Sequence, residues 1–174
     1  MRGIISRPLL ILFSLLYMVG CAAKPNDTSL KVGDVAPDFS LKADDGRTIT
    51  LSECRGKTVV LFFYPKDETP GCTKEACAFR DVYDDFKANG IEVFGISVDN
   101  VESHQAFKKK ENLNFTLLSD ETKEVSKKYG VLGMMGFAQR VTFLIGKDGI
   151  IKKIFKDVKP EQHAKEVLDI AKSI

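Results

Sequence analysis

The sequence predicts an α/β fold in which helices flank a central mixed β-sheet. Three observations predict it. Apolar runs rich in β-branched and aromatic residues are bounded by turn signals, as in strands buried on both faces. Segments with apolar residues three or four positions apart, typical of amphipathic helices, alternate with these runs. The chain ends in a predicted hairpin followed by a helix, so the sheet is expected to contain antiparallel strands as well.

Four runs are predicted to be strands. Residues 57–64 (KTVVLFFY) and 90–98 (GIEVFGISV) are almost entirely apolar, as expected for buried strands. Residues 140–145 (RVTFLI) form a third run, and residues 150–155 (IIKKIF) follow it closely. The sequence GKDG at residues 146–149 predicts a hairpin that joins these last two strands.

Four segments are predicted to be helices, namely residues 72–88, 101–111, 122–129 and 160–173. In the first of these, five apolar side chains share one side of the helix: Ala76, Phe79, Val82, Tyr83 and Phe86. Together with the strands, these helices predict an architecture of thioredoxin-like character.

The composition is that of one globular domain. Of the 174 residues, 44% are hydrophobic and 29% are charged. Two of the 26 basic residues, Arg2 and Arg7, lie in the first twenty residues, which contain no acid, so the remaining chain is neutral overall. Nucleic-acid binding needs a clustered cationic excess, and no nucleic-acid partner is therefore expected. No repeat interrupts residues 32–174, which are predicted to form a single domain.

Residues 1–20 are predicted to be a lipoprotein signal peptide. Two arginines precede the apolar residues 9–19, a stretch too short to span a bilayer but typical of an export signal. The alternative is a buried N-terminal helix. The sequence MVGC at residues 18–21 resembles a bacterial lipobox, so Cys21 is expected to be the lipid-modified mature N-terminus.

The predicted acyl chains on Cys21 would hold the protein on a membrane of the bacterial cell envelope. Residues 21–31 then form the acylated cysteine and a polar tether. Ala22 follows Cys21 in place of the aspartate that retains many such lipoproteins in the inner membrane, which favours the outer membrane.

Three further cysteines, Cys54, Cys72 and Cys77, do not form the C-x-x-C spacing of a dithiol reductase or a zinc knuckle. The two histidines, His104 and His163, lie on separate predicted helices. We expect His104 to be partly packed and His163 to be solvated. Neither a metal nor another cofactor is expected.

Cys72 stands at the predicted start of a helix, after a loop rich in proline and glycine. Unpaired backbone N–H groups and the positive end of the helix dipole favour a thiolate at such a position. The thiolate is the nucleophilic form of cysteine. The alternative is that Cys72 is a small buried hydrophobic residue.

Residues 65–77 (PKDETPGCTKEAC) resemble the active-site segment of the peroxiredoxins, whose pattern is P-x-x-x-T/S-x-x-C. The added C-x4-C spacing is similar to that of the bacterioferritin comigratory protein, or Q-type, group. Residues 33–39 (GDVAPDF) and 139–145 (QRVTFLI) extend the resemblance, which covers about residues 32–174.

The resemblance implies a thiol peroxidase that reduces hydrogen peroxide and organic hydroperoxides. It makes Cys72 the peroxidatic cysteine and Cys77 the resolving cysteine of an intramolecular disulfide. It makes Arg140 the cation beside the thiolate, Thr69 the hydroxyl that orients the peroxide, and Pro65 a shield against water. A thioredoxin-like dithiol donor would reset the disulfide, and the chain is expected to act as a monomer.

The spacing of the two implied redox cysteines has a structural consequence. On an intact helix the Cα atoms of Cys72 and Cys77 would be roughly 8 to 9 Å apart. Disulfides rarely bridge more than about 7 Å. If both residues lie on one helix, its first turns must unwind before the disulfide can form.

Several alternatives remain open from the sequence. Glu75 either pairs with Arg140 or favours the first turn of the helix, and Cys54 is either core filler or a third redox thiol. Residues 132–137 (LGMMGF) form a rim for organic peroxides, a docking surface for the reductant, or ordinary packing. Two other functions compete: a membrane-tethered thiol-disulfide oxidoreductase acting on proteins, and a binding lipoprotein without enzymatic activity.

Overall fold

The computed structural model of the chain describes residues 29–174. The predicted signal peptide, Cys21 and most of the predicted tether lie outside the described residues. Within residues 29–174, none of the helices is both long and apolar enough to cross a membrane.

A seven-stranded sheet forms the centre of the described chain, in the order β2-β1-β5-β4-β3-β6-β7. The strands are β1 Ser40–Ala43, β2 Thr48–Thr50, β3 Thr58–Phe63, β4 Ile91–Ser97, β5 Thr116–Ser119, β6 Val141–Ile145 and β7 Ile151–Phe155. Strands β3, β4 and β5 are parallel, whereas β6 runs antiparallel to β3 and β7 antiparallel to β6. The predicted mixed sheet and its hairpin are confirmed.

Five α-helices and one 3-10 helix accompany the sheet. They are α1 Pro70–Asp81, α2 Tyr83–Ala88, α3 Val101–Glu111, α4 Glu124–Lys128, α5 Pro160–Ala171 and the 3-10 helix Leu51–Cys54. The prediction of one helix over residues 72–88 is wrong, because Val82 leaves the helical region and separates α1 from α2. Two of the backbone bonds at Val82, from Val82 N to Phe79 O and from Asp85 N to Val82 O, span three residues, which is a local tightening of the helix.

Both faces of the sheet are buried, as the strand β3 shows most simply. Its odd-numbered residues, such as Leu61 and Phe63, belong to one apolar cluster together with Tyr129, which follows α4. Its residues Val60 and Phe62 belong to a second cluster that includes side chains of α1, α2, α3 and α5. The period of two along a strand assigns alternate residues to opposite faces.

The expectation that His163 is solvated is wrong. The side chain is fully buried, because it lies on the apolar face of α5 together with Ala164 and Val167. Its Nε2 lies 2.7 Å from the hydroxyl oxygen of Thr142 on β6. The charged neighbours Lys165 and Glu166 are exposed on the opposite face of the helix, and they gave the segment its polar character.

Candidate active site

Cys72 is the third residue of α1, which begins at Pro70 after the extended residue Thr69. Proline is suited to the first helical position because its fixed φ is helical and it needs no N–H partner there. The cysteine is only 2% exposed and packs against the second apolar cluster. Its sulfur therefore lies in the first turn of a helix, where backbone N–H groups and the helix dipole stabilise an anion.

Arg140 contacts the sulfur directly. Its Nη2 donates to Cys72 Sγ at 3.2 Å. The register of the sheet explains the contact, because Phe63, at the end of β3, pairs with Val141, at the start of β6. The loop after β3 and the residue before β6 therefore meet at the same end of these two strands. A Cβ at Gly71 would lie 3.2 Å from Arg140 Nη2, so the glycine leaves room for the guanidinium.

Glu75 is the second partner of Arg140, whose Nη1 donates to Glu75 Oε2. Burial raises the pKa of Glu75 to about 7, although the arginine charge acts in the opposite direction. Burial lowers the pKa of Arg140, but Glu75 and Cys72 raise it further, so the net shift is upward and the cation is retained. Of the two roles left open for Glu75, the structure therefore shows the ion pair.

The loop before α1 places the other two predicted site residues. Thr69 Oγ1 donates to the carbonyl of Lys66 at 3.0 Å, so the hydroxyl is oriented and its oxygen can accept a further hydrogen bond. Thr69 and Pro65 are both half-buried. The loop and the start of α1 thus bring Pro65, Thr69 and Cys72 to the end of the sheet at which Arg140 lies.

Cys77 lies further along α1, with its side chain half-buried. Its thiol donates to Glu111 Oε2 at 3.8 Å, and Arg80 Nη1 donates to the carbonyl of Glu111 at 2.7 Å. Burial raises the pKa of Cys77; Glu111 raises it too, and Arg80 acts against both. Both cysteines are free thiols on one uninterrupted helix. The five-residue spacing keeps their Cα atoms roughly 8 to 9 Å apart in this conformation.

Cys54 lies at the other end of β3, on the 3-10 helix that precedes this strand. It packs against the first apolar cluster, whereas Cys72 belongs to the second. Its thiol donates to the carbonyl of Thr50 at 3.8 Å, and burial raises its pKa. These contacts favour the interpretation of Cys54 as core filler.

Two open cavities meet at Val158 and Lys159, beside the start of α1. One reaches Pro70 and Gly71, and the other reaches Arg140. Each has a volume of about 460 Å³. A water molecule occupies about 30 Å³ in the liquid, so these cavities exceed what hydrogen peroxide alone would fill.

The segment of residues 132–137 protrudes from the molecule. Met134 and Met135 are almost fully exposed, and Phe137 is 38% exposed. A bridge between Leu132 and Ala138 closes the base of this segment. Two such exposed side chains are not explained by ordinary packing. The other two roles considered for this segment are a rim for organic peroxides and a docking surface for the reductant.

A polar cluster beneath the loop was missed by sequence analysis. Asp67 accepts hydrogen bonds from Tyr64 Oη at 2.7 Å and from Ser103 Oγ at 2.7 Å, and its carboxylate lies 2.9 Å from His104 Nδ1. His104 is completely buried, whereas the sequence predicted only partial packing of this side chain. The only sequence signal was that Asp67 lies inside the motif that contains Cys72.

The described residues offer no group of three His, Cys, Asp or Glu side chains that could hold a metal ion. The groups that the site does contain are the thiols, the guanidinium, the hydroxyl and the backbone amides between Pro65 and Arg140.

Residues 32–154 match the sequence profile of one protein family, described as the AhpC/TSA family. The match covers most of the chain and includes the segment from Pro65 to Cys77 as well as Arg140. The chain belongs to the AhpC/TSA family. Its place among the peroxiredoxins of this family follows from individual relatives.

Relatives of the AhpC/TSA chain include peroxiredoxins of the Q type. The chloroplastic peroxiredoxin Q of Triticum aestivum is 50% identical over 145 residues, which cover 82% of this chain and 67% of the relative. A Coxiella burnetii protein named as the peroxiredoxin bcp is 47% identical over 147 residues, which cover 80% of this chain and 97% of that protein. The resemblance to Q-type peroxiredoxins is confirmed.

The fold is similar to that of the Xanthomonas campestris bacterioferritin comigratory protein, which is described as having alkyl peroxide reduction activity and was solved in trapped-intermediate and ligand complexes. The TM-score is 0.76 at 32% sequence identity, over 84% of this chain and 98% of the other. The predicted thioredoxin-like α/β fold is therefore confirmed.

Proposed function

We propose that this peroxiredoxin reduces hydroperoxides through the thiolate of Cys72. The observation that carries the proposal is the 3.2 Å contact between Arg140 Nη2 and the Cys72 sulfur at the start of α1. A guanidinium and a helix N-terminus both stabilise the thiolate, which is the reactive form of cysteine.

In the first step the thiolate attacks one oxygen of the hydroperoxide, and the O–O bond breaks. The sulfur becomes a sulfenic acid, and the leaving oxygen takes a proton to form water or an alcohol. Negative charge develops on the leaving oxygen. We assign stabilisation of this charge to Arg140 and the backbone amide of Cys72, both at the start of α1. The Thr69 oxygen, whose hydrogen is donated to Lys66, accepts a hydrogen bond from the peroxide and so orients it. Pro65 limits the access of water.

In the second step the Cys77 sulfur, as a thiolate, attacks the sulfenic sulfur of Cys72. A disulfide forms, and the hydroxyl leaves as water after taking a proton. Because the helix holds the two cysteines apart, α1 has to unwind locally. The contacts of Cys77 and Arg80 with Glu111 are among those that separate when it does.

A dithiol donor completes the cycle. Thiol-disulfide exchange transfers two electrons from the donor, which is oxidised to a disulfide, and returns Cys72 and Cys77 to thiols. We propose a thioredoxin-like donor that docks on the exposed residues Met134, Met135 and Phe137. Methionine-rich surfaces adapt to partner proteins, and exposed apolar patches mark interaction sites.

We extend the proposed substrates to organic hydroperoxides. The two cavities that meet at Val158 and Lys159 offer room for an alkyl substituent beside Arg140 and the start of α1. The alkyl peroxide reduction described for the Xanthomonas campestris relative supports the same substrate class.

We further propose that Cys21 is acylated and anchors the protein, as a monomer, to a membrane of the bacterial cell envelope, with the outer membrane favoured. The support is the sequence: the export signal, the MVGC motif at residues 18–21 and Ala22. Labelling cells with an alkyne fatty acid tests it: the wild-type chain should be labelled, and a Cys21→Ala chain should not.

The peroxidase proposal is tested with the reduced full chain and one equivalent of hydrogen peroxide, with products mapped by mass spectrometry. Wild type should rapidly form a Cys72–Cys77 disulfide. Cys72→Ser should leave the peroxide intact, whereas Cys77→Ser should accumulate sulfenic or higher acids on Cys72. Untouched peroxide, together with oxidation or reduction of a disulfide substrate protein, would instead favour a protein-directed oxidoreductase.

A further inference from the structure

The loop between β3 and α1 is fixed from below by the buried carboxylate of Asp67. Its two oxygens contact Tyr64, Ser103 and His104 at 2.7 to 2.9 Å. The backbone N–H of Asp67 donates to Asp99 Oδ2 at 2.9 Å. Both the side chain and the main chain of this one loop residue are therefore attached to the β4–α3 part of the molecule.

A strained turn follows this attachment point. Glu68 has a φ of 59°, in the left-handed region that a residue with a side chain rarely adopts. Strained backbone persists only where the surrounding structure holds it, and it is concentrated at functional sites. On one side the turn is held by the bonds of Asp67, and Glu68 itself pairs with Lys110 at 2.9 Å.

The turn at Glu68 determines where the reacting groups lie. Thr69 is the first residue after Glu68 and Cys72 is the fourth, with Pro70 and Gly71 between Thr69 and Cys72. The bond from Thr69 Oγ1 to the carbonyl of Lys66 closes the loop around Asp67. A shift of Asp67 would therefore be transmitted to the Thr69 hydroxyl, whereas Arg140 is positioned by β6 and would stay in place.

The hydrogen-bond pattern assigns the proton of the pair. An ionised carboxylate only accepts hydrogen bonds, so His104 Nδ1 carries the hydrogen that faces Asp67. His104 Nε2 is buried and has no partner among residues 29–174.

We propose that Asp67 and His104 are positioning residues for the reaction of Cys72 with peroxide. They hold the strained turn at Glu68 and so aim the Thr69 hydroxyl at the bound peroxide. This inference rests on the proposed function, because it concerns the same reaction of Cys72. It predicts that the peroxide step is more sensitive to loss of the pair than the nucleophilicity of the thiolate.

The test compares two reactions of Cys72 in the full chain. One is the rate constant for oxidation by hydrogen peroxide, and the other is the rate of alkylation by iodoacetamide, followed at Cys72 by mass spectrometry. Alkylation needs the thiolate but not the donors that activate a peroxide. In His104→Leu and Asp67→Asn the peroxide rate should fall about 10-fold or more, because small misplacements cost that much, while alkylation changes less than about twofold.

Conservative and remote variants separate positioning from loss of stability. His104→Asn can still donate from the position of Nδ1 and should recover part of the peroxide rate. Ser103→Ala and Ser126→Ala are matched, because each hydroxyl donates to a carboxylate, that of Asp67 or Asp120, at 2.7 Å. Ser103→Ala should slow the peroxide step, and Ser126→Ala should leave it unchanged at a similar loss of thermal stability.

Two results would overturn the inference. One is an unchanged ratio of peroxide rate to alkylation rate in folded His104→Leu and Ser103→Ala proteins. The other is a decrease of the peroxide rate in Ser126→Ala that equals the decrease in Ser103→Ala. In either case rapid oxidation of wild-type Cys72 would still support the proposed function, whereas slow oxidation of wild type would contradict the proposed function itself.

Discussion

Arg140 divides its guanidinium between two buried groups, the Cys72 sulfur and the Glu75 carboxylate. The planar fork of an arginine serves two acceptors at a fixed angle, whereas a lysine provides a single mobile point charge. Glu75 orients the guanidinium, but the negative charge of its carboxylate also offsets part of the positive charge of Arg140. Arg140 therefore stabilises the thiolate less when Glu75 is ionised than when it is protonated.

Substitution of Arg140 should mainly affect the first chemical step. We expect Arg140→Met to lower the rate constant with hydrogen peroxide by about 100-fold, and Arg140→Lys by about 10-fold, because a charged donor to the developing anion is lost or misaligned. Competition with catalase for hydrogen peroxide measures this rate. Equal rates in all three proteins would show that Arg140 does not act on the reacting oxygens.

Glu75 should make stability depend on pH between about 4.5 and about 7. Its folded-state pKa of about 7 lies above the ordinary value of 4.5. In this range the folded chain binds the proton more tightly than the unfolded chain, so this contribution to stability is complete at low pH and is lost as pH rises. Relative to Glu75→Gln, wild type should lose about 2 kcal/mol of unfolding free energy from pH 5 to pH 7.5.

Urea unfolding at the two pH values, for both proteins, gives this difference directly. Asp120→Asn serves as a control for the removal of a different buried carboxylate, because Asp120 is held by backbone and hydroxyl donors and not by a cation. If wild type and Glu75→Gln show parallel pH profiles, the carboxylate of Glu75 is not protonated preferentially in the folded state.

Helix α1 is the element that must change during the cycle. Both redox cysteines lie on it, and its contacts with α3 run through Glu111 and Arg80. We expect hydrogen exchange of residues 72–80 to accelerate in the disulfide form, because a bridge between Cys72 and Cys77 is incompatible with the intact helix. Helix α5 should keep its protection in both forms and provides the internal reference. Equal protection of residues 72–80 in both forms would show that the helix stays wound.

The elements that were predicted correctly are those with a strong local pattern. The apolar strands β3, β4 and β6 and the amphipathic α3 and α5 agree with the predicted segments within a few residues. Strands β1, β2 and β5 contain only three or four residues and were not predicted. Such short strands carry too few side chains to establish a period, and they form because the neighbouring strands already provide hydrogen-bond partners.

The burial of His163 shows a related limit within a single element. A helix with many charged residues can still bury a histidine if it lies on the apolar face between two aromatic rings, as His163 does between Phe79 and Phe155. Burial, with the charge of Arg140 as a second cause, lowers its pKa to about 4. The ring is therefore neutral near pH 7, which the sequence alone did not indicate.

At the scale of the whole molecule, topology assembles the site from distant parts of the chain. The motif around Cys72 was recognisable because its residues are adjacent in sequence. The contact with Arg140 spans 68 residues and depends on the antiparallel pairing of β6 with β3. The pairing of Asp67 with His104 spans 37 residues and has no sequence pattern of its own, so only the folded chain revealed it.

The exposed methionines provide a prediction about contact with a second molecule. Met134 and Met135 are almost fully exposed, a geometry that suits docking of a protein more than binding of a small peroxide. We expect the double variant Met134→Ser, Met135→Ser to raise the KM for a bacterial thioredoxin about fivefold, the loss of roughly 1 kcal/mol of interface contact. NADPH consumption with thioredoxin reductase measures it.

The same double variant separates the two roles of this segment. Oxidation of Cys72 by hydrogen peroxide and by cumene hydroperoxide, measured in a single turnover without thioredoxin, should proceed at the wild-type rates, because both methionines are almost fully exposed whereas Cys72 is buried. Exposed Val32, elsewhere on the surface, offers Val32→Ser as a matched control that should leave the KM unchanged. A slower reaction with cumene hydroperoxide alone, at an unchanged KM for thioredoxin, would assign the methionines to a rim for organic peroxides.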